Sequence, residues 1–194
     1  MEITDQQLLE LLTKGNELAF KQLYDRYSAK VYNTLLSYTK NAEDAEELLQ
    51  DVFLTIYNSA ASYRSESKVS TWVYRVSVNK SLDFLRKKNS QKRFGIFSSL
   101  YRKDSVEILY ESVDFAHPGV KLENQEDAKL LFKVIDGLSE NQKTAFILTQ
   151  IEDLPQQEVA EIMKITRKAV ESLVQRSKAN LKKNLANQYP DRGI

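Results

Sequence analysis

The sequence predicts an all-α protein of two small helical domains joined by a long linker, the C-terminal domain containing a helix-turn-helix. Three observations carry that expectation. Apolar residues recur at steps of three and four along most of the chain, no strand-like alternation competes with them, and the periodicity fails over one long stretch containing Gly95, Pro118 and Gly119. The domains are expected at residues 1–90 and 122–188, with the linker at 91–121, each domain holding a modest core of its own.

The elements follow in order. Thr4 and Gln7 have the form of a capping box opening a short helix that carries Leu8, Leu9, Leu11 and Leu12. Phe20, Leu23, Tyr24, Tyr27, Val31 and Leu35 mark one face of a second helix. Asn41 is placed to cap a third, with Glu43 and Asp44 near its positive dipole end and Leu48, Leu49, Val52, Phe53, Ile56 and Tyr57 turned to the core. Tyr63 to Val69 reads as a polar loop, and a fourth helix runs from about Ser70 to Lys88. In that helix Val73, Val78, Leu82, Phe84 and Leu85 form an apolar arc, with Ser77 and Ser81 small enough to let another helix approach. Trp72, Arg75, Asn79, Asp83 and Arg86 line the other side. A tryptophan among cations and amides suits stacking on unpaired bases; it equally suits a partly buried ring closing the small core.

The linker adds Phe94, Phe97, Tyr101, Tyr110 and Phe115, aromatics available to dock on a partner. Beyond it, Leu130, Leu131, Val134 and Ile135 share a face, Ser139 and Gln142 form a second capping box, and Ala145, Phe146, Leu148 and Ile151 follow. Pro155 opens the next helix, where its missing amide costs little.

Composition narrows the chemistry. The absence of cysteine excludes disulfides, thiolate metal sites and cysteine nucleophiles, and the single histidine, His117, reads as a solvated loop residue. No glycine-rich loop could cradle a phosphate, and no apolar run could span a bilayer. The net charge of +1 conceals segregation. Residues 64–93 hold Arg64, Lys68, Arg75, Lys80, Arg86, Lys87, Lys88, Lys92 and Arg93 against only Glu66 and Asp83. Residues 164–183 are similarly basic, whereas the linker and the cluster Glu43, Asp44, Glu46, Glu47 and Asp51 are acidic. Two separated basic patches offer phosphates two landing sites, and the acidic stretches suit surfaces turned toward protein.

The helix-turn-helix lies at residues 154–176. Ala160 is the small residue that a steep helix crossing needs, and Val159, Met163, Ile165, Val170, Leu173 and Val174 supply the apolar set. Thr166 is a suitable N-cap, and Arg167, Lys168, Glu171, Ser172, Gln175 and Arg176 project from the outer face of the second helix. In a major groove, arginine pairs with guanine and glutamate accepts from cytosine. Lys164 stands in the turn where glycine is common, a position that asks a lysine for positive φ.

With these motifs in order, the chain resembles the extracytoplasmic-function sigma factors of bacterial RNA polymerase over nearly its whole length. Residues 44–53 (DAEELLQDVF) are similar to the family's core-polymerase-binding helix, and Tyr63-Arg64 with residues 70–79 (STWVYRVSVN) to its −10-element segment. Residues 138–142, 158–162, 169–172 and 175–181 are similar to its −35-reading domain. The resemblance implies that Asp44, Glu47, Leu48, Gln50, Asp51 and Phe53 bind core RNA polymerase. It implies that Arg64, Lys68 and Ser70 belong to a loop holding a flipped base, and that Trp72, Arg75, Asn79 and Arg86 border the opening duplex. Thr166, Arg167, Lys168, Glu171, Ser172, Gln175 and Arg176 would then read the upstream promoter DNA. Val69, Ala169, Glu171 and Leu173 depart from the family's usual residues, so the promoter sequence does not transfer with the class.

A cytoplasmic, non-enzymatic initiation subunit is therefore expected. It would need no cofactor, metal or small-molecule substrate, would not itself be a membrane protein, and would have core polymerase, promoter DNA and an anti-sigma factor as its prospective partners. The alternative is a stand-alone helix-turn-helix regulator with an N-terminal partner-binding domain. Two basic patches favour the first, since a regulator needs one reading head.

Overall fold

The computed structural model describes residues 3–100 and 125–188, all helix and connecting turn, with no strand among them. The linker residues Tyr101, Tyr110, Phe115 and His117, the linker's acidic residues, and the side chains of Phe94 and Phe97 lie outside the described residues.

Helix α1 (Asp5–Thr13) starts at the expected capping box. The Gln7 amide donates to Thr4 Oγ1 at 3.3 Å, and Gln7 Oε1 accepts from the Thr4 amide at 2.9 Å. Gly15, at φ 80°, turns the chain sharply, and Asn16 accepts from the Ala19 amide to open α2 (Glu17–Thr39). Asn41 caps α3 (Ala42–Ser59) as expected, its Oδ1 accepting from the Asp44 amide at 2.8 Å. A 3₁₀ turn, Ala60–Ser62, leads to α4 (Val69–Leu100).

Helix α4 is longer than expected, continuing past Lys88 to Leu100. The run Arg86-Lys-Lys-Asn-Ser-Gln-Lys-Arg93 has good helix formers and no proline, so the backbone continues without an apolar face to advertise it. Ser77 and Ser81 are fully buried, each hydroxyl bonded to the carbonyl four residues back, and they allow the close helix approach that the sequence indicated.

Helices α1, α3 and α4 pack around α2. The inner row Leu23, Tyr27, Val31 and Leu35 is buried, but Tyr24 is 39% and Tyr57 45% exposed, so the tyrosines expected on the core faces stand at their edges. Amphipathic spacing assigns a face, and an edge residue with a polar tip settles half in water.

The second domain comprises α5 (Gln125–Asp136), α6 (Glu140–Phe146), a π-helical turn (Ile147–Ile151), α7 (Gln156–Met163) and α8 (Arg167–Gln188). Its capping box is present at Ser139 and Gln142, and Pro155 stands immediately before α7.

The two domains do not keep separate cores. Phe132, Val134, Ile135, Leu138, Phe146 and Leu181 join the cluster built on α1 to α4. Tyr74 and Val78 of α4 join a second cluster with Leu148, Val159, Ile162, Val170 and Val174. Every residue from Thr34 to Thr39 is buried, because the end of α2 is covered by its own domain on one side and the second domain on the other. The Tyr38 hydroxyl donates to Thr144 Oγ1 at 3.0 Å inside this junction, and burial raises the phenol's pKa far above its ordinary value.

Candidate nucleic-acid interface

The helix-turn-helix is built as its sequence requires. Ala160 is buried where α7 meets α8, and Val159, Ile162, Val170 and Val174 pack together beneath the turn, with Met163 and Leu173 at the margin. Ile165 is the exception, 36% exposed on the turn itself. Lys164 is left-handed, at φ 55° and ψ 42°, and its amide caps the end of α7 through the Ala160 and Glu161 carbonyls. Thr166 caps α8, its hydroxyl accepting from the Ala169 amide at 3.2 Å.

On this scaffold Thr166, Arg167, Lys168, Glu171, Ser172, Gln175 and Arg176 are all exposed along the first turns of α8. Arg176 folds back to donate to the Ser172 carbonyl at 3.2 Å. The row has the make-up of a groove reader: cations, an amide, a hydroxyl and one carboxylate on a rigid helix.

The downstream set is arranged differently. Arg64 and Asn79 are exposed and Ser70 is half-buried. Trp72 is half-buried, its ring 5.3 Å from that of Tyr63 at a 46° tilt. The ring closes the core edge and is covered on part of its surface only. Three cations of the set meet the second domain. Lys68 pairs with Glu158 at 3.0 Å, Arg75 donates to the Glu161 carbonyl at 2.9 Å and the Ile162 carbonyl at 3.4 Å, and Arg86 pairs with Glu140 at 2.7 Å. Glu140 consequently titrates below the usual carboxylate range, held there by the Arg86 guanidinium.

The acidic set on α3 splits in two. Glu47, Gln50 and Asp51 are exposed, and Asp44 is half-buried beside Lys88 at 2.8 Å. Leu48 and Phe53 are buried, at 7% and 3% exposure, so they anchor the inner face of α3 and present no surface to a partner. Phe53 packs against Phe20 and Tyr24, and Phe20 against Tyr57. Sequence reasoning missed Leu54, 59% exposed beside the acidic row, and Leu18, 70% exposed at the start of α2. An exposed leucine with acidic neighbours at helical spacing was the available signal.

Two cationic faces on separate helices, with an acidic and apolar-edged face on a third, are the layout of a transcription-initiation subunit rather than a one-headed regulator. Residues 23–91 match the family Sigma-70 region 2, and residues 129–181 match Sigma-70, region 4. The chain is 31% identical over 164 residues to the ECF RNA polymerase sigma-E factor of Haemophilus influenzae, covering 84% of this chain and 85% of that one. It is 26% identical over 162 residues to the corresponding protein of Escherichia coli, covering 84% of each. In fold it is similar to CnrH, solved in complex with the cytosolic domain of CnrY, with a TM-score of 0.64 and 21% identity over 94% of this chain and 97% of that one. It is also similar to the sigma factor RpoE of Bartonella quintana, solved with the anti-sigma factor NepR, with a TM-score of 0.63 and 22% identity over 86% and 96% of the two chains. The chain belongs to the extracytoplasmic-function sigma factors, which direct bacterial RNA polymerase to promoters.

Proposed function

We propose that three faces divide the work of initiation. The outer face of α3, half-buried Asp44 with exposed Glu47, Gln50 and Asp51 and extended by Leu54, docks on a basic surface of core polymerase. Leu48 and Phe53 position that face from within. Arg64, Lys68, Ser70, Trp72, Arg75, Asn79 and Arg86 hold the downstream element as it opens, the Trp72 ring offering its free side to an unpaired base. Thr166, Arg167, Lys168, Glu171, Ser172, Gln175 and Arg176 read the upstream element as duplex. Catalysis belongs to the polymerase, and the protein acts in the cytoplasm; no helix among the described residues is long and apolar enough to cross a membrane. Two relatives in fold were solved with a partner protein, one of them named an anti-sigma factor, which supports an anti-sigma partner here.

The observation that carries this reading is the α8 row, exposed and held rigid by a buried helix crossing. In the test, core polymerase and the protein are assembled on candidate promoters for run-off transcription and footprinting. Protection that needs core polymerase, and that shrinks at the upstream end when Arg167 or Arg176 is changed to Glu, is the expected result. Unchanged protection in those variants would remove α8 from promoter reading.

A further inference from the structure

We propose that a cleft between α4 and the second domain is a binding site for a small organic anion with an apolar body, an aryl phosphate or carboxylate. The cleft has a volume of about 320 Å³, within the range of small-molecule sites. Arg75 and Asn79, one turn apart on α4, form one wall, and Asn141 of α6 with Lys164 at the end of α7 belong to the other. Buried Val78 and Ile162 add apolar surface between them. None of the residues lining the cleft carries a carboxylate, so two cations stand there without local compensation. Glu140, beside Asn141 in sequence, is paired with Arg86 instead.

The polar groups of the cleft are largely unengaged. The Lys164 ammonium and the Asn79 and Asn141 side-chain amides have no hydrogen-bond or ion-pair partner among the described residues. Arg75 donates through Nε and Nη2 to the Ile162 and Glu161 carbonyls, which fixes the plane of the guanidinium and leaves Nη1 to donate elsewhere. Lys164 is the most telling of the four. Its backbone is left-handed, at φ 55° and ψ 42°, a conformation that glycine adopts without a Cβ clash. A side chain that strains its own backbone and has no partner in the protein points to a partner from outside. Arg75 offers an anionic head planar donors and Lys164 offers it a point charge. Val78 and Ile162 would cover the apolar body, and the two amides would fix its orientation. The site does not depend on the roles proposed for Arg75 and Asn79 toward DNA.

The test titrates 1-naphthyl phosphate and 1-naphthoate into the full chain by calorimetry, without DNA or polymerase, in about 0.15 M salt so that non-specific attraction is screened. Neutral 1-naphthol and inorganic phosphate are the comparison probes, each lacking one half of the recognised chemistry. One-to-one binding of an organic anion, at least about tenfold tighter than either comparison probe, is expected. Lys164→Gln should weaken it about fivefold to tenfold through loss of a charge-assisted contact. Asn141→Trp, which fills the cleft, should abolish it, with circular dichroism confirming that both variants are folded. Lys178→Gln, exposed on α8 and outside the cleft lining, should leave it unchanged. The site is overturned by the absence of saturable binding of either organic anion. Equal binding by wild type and Lys164→Gln, or a loss just as large in Lys178→Gln, also overturns it.

Discussion

Replacing Glu152 by glutamine should remove a pH dependence that the wild-type protein carries between pH 4.5 and about 7. Glu152 follows the π-helical turn and is pressed against the first domain, where Oε1 is buried without a hydrogen-bond partner. Burial raises its pKa from 4.5 to about 7, while Thr34 and Lys30 of α2 draw it back only partly. The phenols of Tyr38 and Tyr74 face it from α2 and α4 and are themselves pushed up by burial. The folded protein thus holds the proton longer than the unfolded chain. Stability from this group is complete below pH 4.5, declines as pH rises, and is fully lost above about 7. At about 1.4 kcal/mol per pKa unit, the loss is about 2 to 3 kcal/mol for a carboxyl that water partly reaches. With a urea slope of about 2 kcal/mol per molar, the unfolding midpoint of wild type should fall by about 1 M relative to Glu152→Gln between acid and alkaline buffer. Circular dichroism at a series of pH values gives the two curves, which should coincide near pH 4.5 and diverge above it. A gap constant at every pH would refute the argument, since it would show a packing difference with no proton attached.

Other perturbations test the scaffold and the faces. Lys164→Gly should stabilise the protein by roughly 0.5–1 kcal/mol, because glycine adopts the left-handed turn without the Cβ clash; a Tm raised by about 2 °C is the readout, and a lowered one would mean that the lysine side chain contributes more than its backbone costs. Asp136→Asn should destabilise by about 1–2 kcal/mol, since Lys143 is 8% exposed and loses the carboxylate 2.6 Å away. Burial lowers the Lys143 pKa to about 8, so the folded protein loses this ammonium as pH rises through that value, and the penalty should be present below pH 8 and fade above it; denaturation of wild type and variant in neutral and alkaline buffer checks the sign. Trp72→Ala should cost about 1–2 kcal/mol through the lost Tyr63 contact, retain core-polymerase binding, and impair promoter opening in a permanganate footprint; opening at the wild-type rate would reduce the ring to a structural role.

The helices and the helix-turn-helix were legible because each rests on local chemistry. Thr4, Asn41 and Thr166 cap from within three residues, and Ala160 and Val170 follow from the periods of single helices. The α8 row was legible for the same reason: a residue opposite a buried stripe is exposed whatever lies elsewhere. The α3 face was only half legible. A helical repeat gives Glu47, Gln50 and Leu54 one side and turns Leu48 and Phe53 to the core, where they lie buried, whereas the family resemblance groups all but Leu54 in one polymerase-binding set without distinguishing a contact from its support. What escaped was the junction of the domains, because its partners lie far apart in sequence: Lys68 and Glu158, Tyr38 and Thr144. Even so, the residues that meet there left a trace. Val31 to Thr39 contains no charge, which is more than a one-sided helix needs, and a stretch apolar or neutral all round is one that expects cover on every side. The second domain supplies that cover at α2 and, through Tyr74 and Val78, at α4. The groups that would face DNA are therefore flanked by groups that would be exposed to water if the domains parted.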